Sequence, residues 1–168
     1  MIRDLLRERV LAAASALRAR EQTVAFAESC TGGLVAASFA AESGVSDVFH
    51  GGIVAYSNDV KFRVLGVPTS VVRQLGAVST TTAIAMARGA RDVVATDWAV
   101  SITGIAGPSG GTAQKPVGTV CFAVVGPGVE WSSQQHFSGD RNAVQQKSAE
   151  FALSALETAL RGGLELDR

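Results

Sequence analysis

Short apolar runs that end in polar, glycine-bearing turns restrict what this chain can become more than any other feature. Residues 23–27 form one such run and lead into Ser29-Cys30-Thr31-Gly32-Gly33. Residues 48–56 form a second, with Gly51-Gly52 marking a β-bulge, and lead into Ser57-Asn58-Asp59-Val60-Lys61. Residues 98–103 form a third and lead into the Gly- and Pro-rich stretch 104–116. Apolar runs this short, bounded by turn residues, read as buried strands.

Segments of helical period lie between the runs. Ile2, Leu5, Leu6, Val10, Ala13 and Leu17 share one face of a predicted helix over residues 2–18, and residues 34–42 are Ala-rich and helical. Ser57-Asn58-Asp59 starts a helix that Gly66-Val67-Pro68 stops, and a short helix over residues 69–75 follows. Ser79 is the N-cap of a helix with Ala83, Met86, Ala87, Ala90 and Val94 inward. Residues 117–125 and 129–137 form a hairpin about Gly126-Pro127-Gly128. Asp140 opens a last helix with Val144, Phe151, Ala152, Ala155 and Leu156 inward. Alternation early and a hairpin late predict an α/β fold, a three-layer α/β/α sandwich with a mixed, mostly parallel sheet. With no internal repeat and no dividing linker, residues 1–168 read as one domain.

Composition narrows the function classes. Apolar residues at 47% against 18% charged exclude a disordered chain. The 15 basic and 15 acidic side chains cancel, which argues against nucleic acid or an anionic membrane as the main partner. Cys30 and Cys121 are too few for a disulfide framework, and no His, Cys, Asp or Glu cluster has metal-ligand spacing. Residues 1–20 carry charges throughout, and no apolar run is long enough to span a bilayer. The expectation is a soluble, cytoplasmic protein without metal or cofactor.

In open α/β sheets, ligands bind at loops beyond the carboxyl ends of strands, which is where the polar turns fall. In the first turn, glycines allow close backbone approach, and helix amides favour an anion or a developing oxyanion. Ser29 there is either a nucleophile or, with Thr31, a helix cap. Cys30 is the rival nucleophile, but both histidines, His50 and His136, fall in predicted strands away from it, and a buried structural cysteine is the better reading. The second turn offers Tyr56 and Lys61, and a desolvated lysine is a base able to activate a serine. A solvated helix lysine is the plain alternative. The third loop could wrap a phosphate or sugar with its amides but matches neither phosphate-loop nor dinucleotide spacing. Lys115 either contacts substrate or faces water. Arg141, in the first turn of the last helix, opposes the helix dipole and, with free amides, makes a phosphate grip or pairs with a neighbouring acid.

The segments AESCTGGLVA, GGIVAYSNDVKFRVLGV, GAVS with MARGAR, SITGIAGPSGGT, KPVGTV and FSGDR, in that order, resemble the CinA C-terminal domain family. The resemblance spans residues 24–155 and implies a three-layer α/β/α domain that associates as a homo-oligomer. It implies hydrolysis of nicotinamide mononucleotide to nicotinate mononucleotide and ammonia by a Ser/Lys pair. Carried over, Ser29 is the nucleophile, Lys61 its base, and Tyr56 and Thr103 support or orient them. Arg141 binds the substrate phosphate, and Thr31, Gly32, Gly104, Lys115 and Ser46 are further substrate contacts. Oxyanion donors fall at residues 30–33 or 104–106. Ser46 is also a second candidate nucleophile, but it precedes a strand that Lys61 follows. Two departures stand out. Val45 replaces one serine of the family's Gly-Ser-Ser turn, and Thr80, Thr81 and Thr82 stand where acidic residues are usual.

Overall fold

A computed structural model describes the backbone of residues 2–164 and the side chains of residues 5–164. Helix α1 (Ile2–Ala19) precedes strand β1 (Val24–Glu28) and helix α2 (Leu34–Ala40). A 3-10 turn (Val45–Asp47) leads into strand β2 (Phe49–Val54), followed by helices α3 (Asn58–Arg63), α4 (Thr69–Leu75) and α5 (Thr80–Val94). Strands β3 (Trp98–Gly104), β4 (Thr119–Gly126) and β5 (Val129–His136) precede helix α6 (Arg141–Leu160). The strands form one sheet in the order β2-β1-β3-β4-β5. β1 is parallel to β2 and β3, whereas β4 is antiparallel to β3 and β5. The sheet is therefore mixed, and β4 alone opposes the common strand direction.

The two faces of the sheet carry different side chains because strand residues alternate. Phe26, Trp98, Val100, Phe122 and Val124 face a core shared with α1, α2 and α6. Ala27, Ala99, Cys121 and Ala123 face the other way, against Ala83, Met86, Ala87 and Ala90 of α5. Large side chains fill the first layer, and small ones let α5 lie close in the second. Within α1, Leu6, Val10, Ala13 and Leu17 are buried, but Leu5 is 41% exposed. Leu6 occupies the inward position, and its neighbour, a helical step of about 100° away, turns outward. Ile2, assigned to the same face by spacing, has a side chain outside the described residues.

The caps follow sequence chemistry. The hydroxyls of Ser57 and Ser79 and the carboxylate of Asp140 each accept from an amide in the first turn of their helix. Of the three threonines at the start of α5, Thr82 is buried, and its hydroxyl donates to the Gly76 carbonyl at 2.8 Å. In β2, Val24 pairs with Phe49 and Ala25 with Gly51, so the bulge skips His50. A Cβ on Gly52 would stand 2.7 Å from the Ala36 Cβ, so glycine is what lets α2 cross the edge strand. Glu28 pairs with both Val54 and Ile102, which brings the carboxyl ends of three parallel strands side by side.

Candidate active site

Ser29 follows the last residue of β1 and is pinned there by its amide, which donates to the Ile102 carbonyl at 2.9 Å. The chain then reverses through consecutive left-handed residues, Gly32 (φ +61°) and Gly33 (φ +98°), a pair of conformations that side-chain-bearing residues rarely adopt. The resulting turn aims the Ser29 hydroxyl towards α3. Ser57, capping α3, sets the helix so that Lys61 points inward, and the Lys61 side chain is only 2% exposed.

Lys61 Nζ donates to Ser29 Oγ at 3.1 Å, to the Ala55 carbonyl at 2.9 Å and to the Tyr56 carbonyl at 3.4 Å. All these partners are neutral. Burial disfavours the ammonium form and holds the Lys61 pKa below its ordinary value. In the neutral amine, two N–H groups can stay on the carbonyls while the lone pair faces Ser29 Oγ, the orientation a general base requires.

Ser29 opens onto a cavity of about 300 Å³ that Tyr56, Gly104, Ile105, Gly107 and Arg141 also line. Arg141 spans it, donating to the Gly107 carbonyl at 2.8 Å and to the Tyr56 hydroxyl at 2.6 Å. Among the described residues, the amides of Cys30 and Thr31, beside the nucleophile, and of Ala106, across the cavity, make no hydrogen bond to another backbone group. Cys30 is 5% exposed, and burial pushes its thiol pKa up to about 12, which disfavours the thiolate.

Several residues singled out from sequence lie elsewhere. Ser46 sits in the turn before β2, at the amino end of the parallel strands, whereas Ser29 lies beyond their carboxyl end. Strand rise of ~3.3 Å per residue puts the length of β2 between them. Within one chain, Ser46 does not line this cavity and is not among the hydrogen-bond partners of Lys61. Lys115 donates from Nζ to the Leu75 carbonyl at 2.8 Å, at the end of α4, and does not line the cavity. Thr103 is buried with its hydroxyl on the Ala77 carbonyl at 2.8 Å, so that group braces the loop before α5 and not the Ser29–Lys61 pair. The Tyr56 phenol meets Arg141, and only its carbonyl meets Lys61. Thr31 and Gly32 line a neighbouring groove with Asn142 and Gln145.

The expectation of open amides at the start of α2 also fails. The Glu28 carboxylate takes the amides of Gly33, Val35 and Ala36, and the Thr31 hydroxyl as well. Sequence reasoning passed over Glu28 because an acid ending an apolar strand usually faces water. Its place just before a Gly-Gly turn into a helix was the available signal. Gln145, also passed over, donates to the Cys30 carbonyl at 2.8 Å and ties the turn to α6.

Comparison with known proteins agrees with this architecture. The family model for the CinA C-terminal domain matches residues 7–160. A CinA-like protein of Anaeromyxobacter sp. (strain K) is 50% identical over 145 residues, covering 86% of this chain and 36% of that protein. One from Fervidobacterium nodosum is 45% identical over 138 residues, 82% of this chain and 34% of that protein. The chain thus spans about a third of the length of these curated relatives. Among solved structures, a competence-damaged protein (CinA) superfamily protein from Enterobacter cloacae superposes with a TM-score of 0.89 at 36% identity, covering 92% of each chain. The competence/damage inducible protein CihA from Agrobacterium tumefaciens gives 0.90 at 36% identity, covering 94% of this chain and 96% of that one.

Proposed function

The chain belongs to the CinA C-terminal domain family, and on that premise we propose that it is an amidohydrolase converting nicotinamide mononucleotide to nicotinate mononucleotide and ammonia. The observation that carries the proposal is the 3.1 Å contact between Lys61 Nζ and Ser29 Oγ in a site without water access to the lysine. Burying a lysine against neutral groups is costly. A module that only binds nucleotides would need Arg141 and the glycine loop but no such pair.

Catalysis proceeds by acyl transfer. Neutral Lys61 takes the Ser29 proton as Oγ attacks the carboxamide carbon, and the C–O bond forms while negative charge moves to the carboxamide oxygen. The amides of Cys30 and Thr31, or of Ala106 across the cavity, receive that charge. Collapse breaks the C–N bond, and the Lys61 ammonium gives its proton to the departing nitrogen, which leaves as ammonia. Water then attacks the acyl ester with Lys61 again as base, releasing the carboxylate and restoring Ser29. Arg141 anchors the substrate phosphate, exchanging its bonds to Gly107 and Tyr56 for charge-assisted ones. The substrate is therefore a small nucleotide, and the same reading predicts no role for nucleic acid or membrane. We also extend to this chain the homo-oligomeric state implied by the family resemblance.

The test is ammonia release from nicotinamide mononucleotide. Wild type should turn over, Ser29→Ala and Lys61→Ala should each lose roughly 10³-fold or more in kcat, and Cys30→Ala should retain activity. No release at high wild-type concentration rejects the amidase. Full activity in Ser29→Ala removes Ser29 as nucleophile.

A further inference from the structure

We propose that Glu28 is the positioning residue of the Ser29–Lys61 pair, holding both halves through its two ends; the inference rests on the acyl-transfer reading above. The side chain is 1% exposed. Among the described residues its carboxylate meets no cation. It is held instead by the Thr31 hydroxyl at 2.7 Å and by the amides of Gly33 at 3.1 Å, Val35 at 3.2 Å and Ala36 at 2.8 Å. Those donors belong to the turn that carries Ser29 and to the first residues of α2.

The other end of the residue holds the lysine. The Glu28 carbonyl accepts from the Ala55 amide at 2.8 Å, and the Ala55 carbonyl in turn accepts from Lys61 Nζ at 2.9 Å. Glu28 thus stands directly before the nucleophile, clamps the turn behind it through its side chain, and through its backbone carbonyl holds Ala55, the residue whose own carbonyl accepts from the base. The charge suits the place, because amides at a helix start and a hydroxyl solvate an anion where water is absent. A neutral glutamine of the same shape keeps an oxygen for the donors on one side but turns an NH₂ group towards donors on the other. The turn must then shift, and small displacements of a nucleophile are costly to rate. The same occupancy keeps any second anion from the start of α2, leaving the substrate phosphate to Arg141.

The experiment measures the rate constant of Ser29 labelling by excess fluorophosphonate, read by intact mass, beside ammonia release from nicotinamide mononucleotide. Ser29→Ala supplies the blank. A purely structural role lowers the fraction of competent molecules, and so the amplitude of labelling, whereas displacement of the nucleophile lowers the rate constant. Glu28→Gln should label to the wild-type extent among folded molecules with a rate constant about tenfold or more lower. Its kcat per titrated site should fall in parallel with little change in KM. Glu28→Asp, which keeps the charge, should recover part of the rate. Thr31→Val, which removes one donor, should show a smaller fall, and these two variants decide the matter if Glu28→Gln does not fold. Wild-type rate constants in the folded variants overturn the inference, and so does a wild-type chain that takes no label at Ser29. If the labelling contrast appears but no ammonia is released by wild type, the amidase reading fails and the role of Glu28 stands.

Discussion

At Lys61 an amine sits away from water with no carboxylate among its hydrogen-bond partners, and the consequences run in two directions. For activity, the base must be neutral, so kcat/KM should fall as pH drops through its lowered pKa, on a limb below the ordinary lysine range. For stability the sign is opposite to that of a salt-bridged lysine. The folded pKa lies below the unfolded one, so below the folded pKa the native state bears the full cost of the buried charge. As pH rises from there to the unfolded pKa, that cost disappears. Wild type should therefore gain stability relative to Lys61→Met on going from neutral pH towards about pH 10, where a free lysine titrates. Thermal melts of both proteins across that range check it, and a difference independent of pH would mean that Lys61 is neutral or solvated throughout. Losing activity while the variant's relative stability improves at neutral pH is the trade expected of a strained catalytic group.

Helix starts show how far local chemistry was legible in the sequence. Ser57, Ser79 and Asp140 announce their helices because a cap contacts amides only two or three residues ahead. Glu28 left only the positional signal of an acid before a Gly-Gly turn, since its bonds to Gly33, Val35 and Ala36 exist only after that turn has doubled the chain back. The glycine-rich turn was visible in sequence, but the occupant of its amides was not. Thr103 and Lys115 were misread for a related reason. The sequence makes Thr103 a support of the Ser29–Lys61 pair and Lys115 a substrate contact, but their polar atoms answer carbonyls at Ala77 and Leu75 left open by neighbouring elements. Ser46, in contrast, follows from topology alone, since the residue before a strand and the residue after it lie at opposite ends. The Asp140 cap also sets where Arg141 begins α6, and so where the guanidinium crosses the cavity. Asp140→Ala should cost about 1 kcal/mol. It should raise KM for nicotinamide mononucleotide more than for the riboside lacking phosphate. Equal effects on both would detach Arg141 from phosphate binding.

For the whole molecule, the layered fold was read from alternation, and the site from the rule that ligands collect at carboxyl ends of parallel strands. The mixed sheet makes that end one-sided. β1, β2 and β3 deliver Ser29, the Ala55–Tyr56 peptide and the glycine loop, and α6 comes across to supply Arg141. A bound nucleotide would tie these separate elements together, so ligand should stabilise the fold as a unit. Ser29→Ala offers the clean measurement, because it should bind nicotinamide mononucleotide without consuming it. At a ligand concentration about 100-fold above Kd, linkage gives roughly 2.7 kcal/mol. For a domain of this size that is a rise in Tm of about 5–11 °C. Adding Arg141→Met should remove most of the shift while leaving the ligand-free Tm nearly unchanged, because the Arg141 guanidinium bonds only exposed or loop groups in the free protein. An undiminished shift in the double variant would place the phosphate elsewhere. No shift in Ser29→Ala, at any concentration up to millimolar, would mean that this cavity does not take the nucleotide.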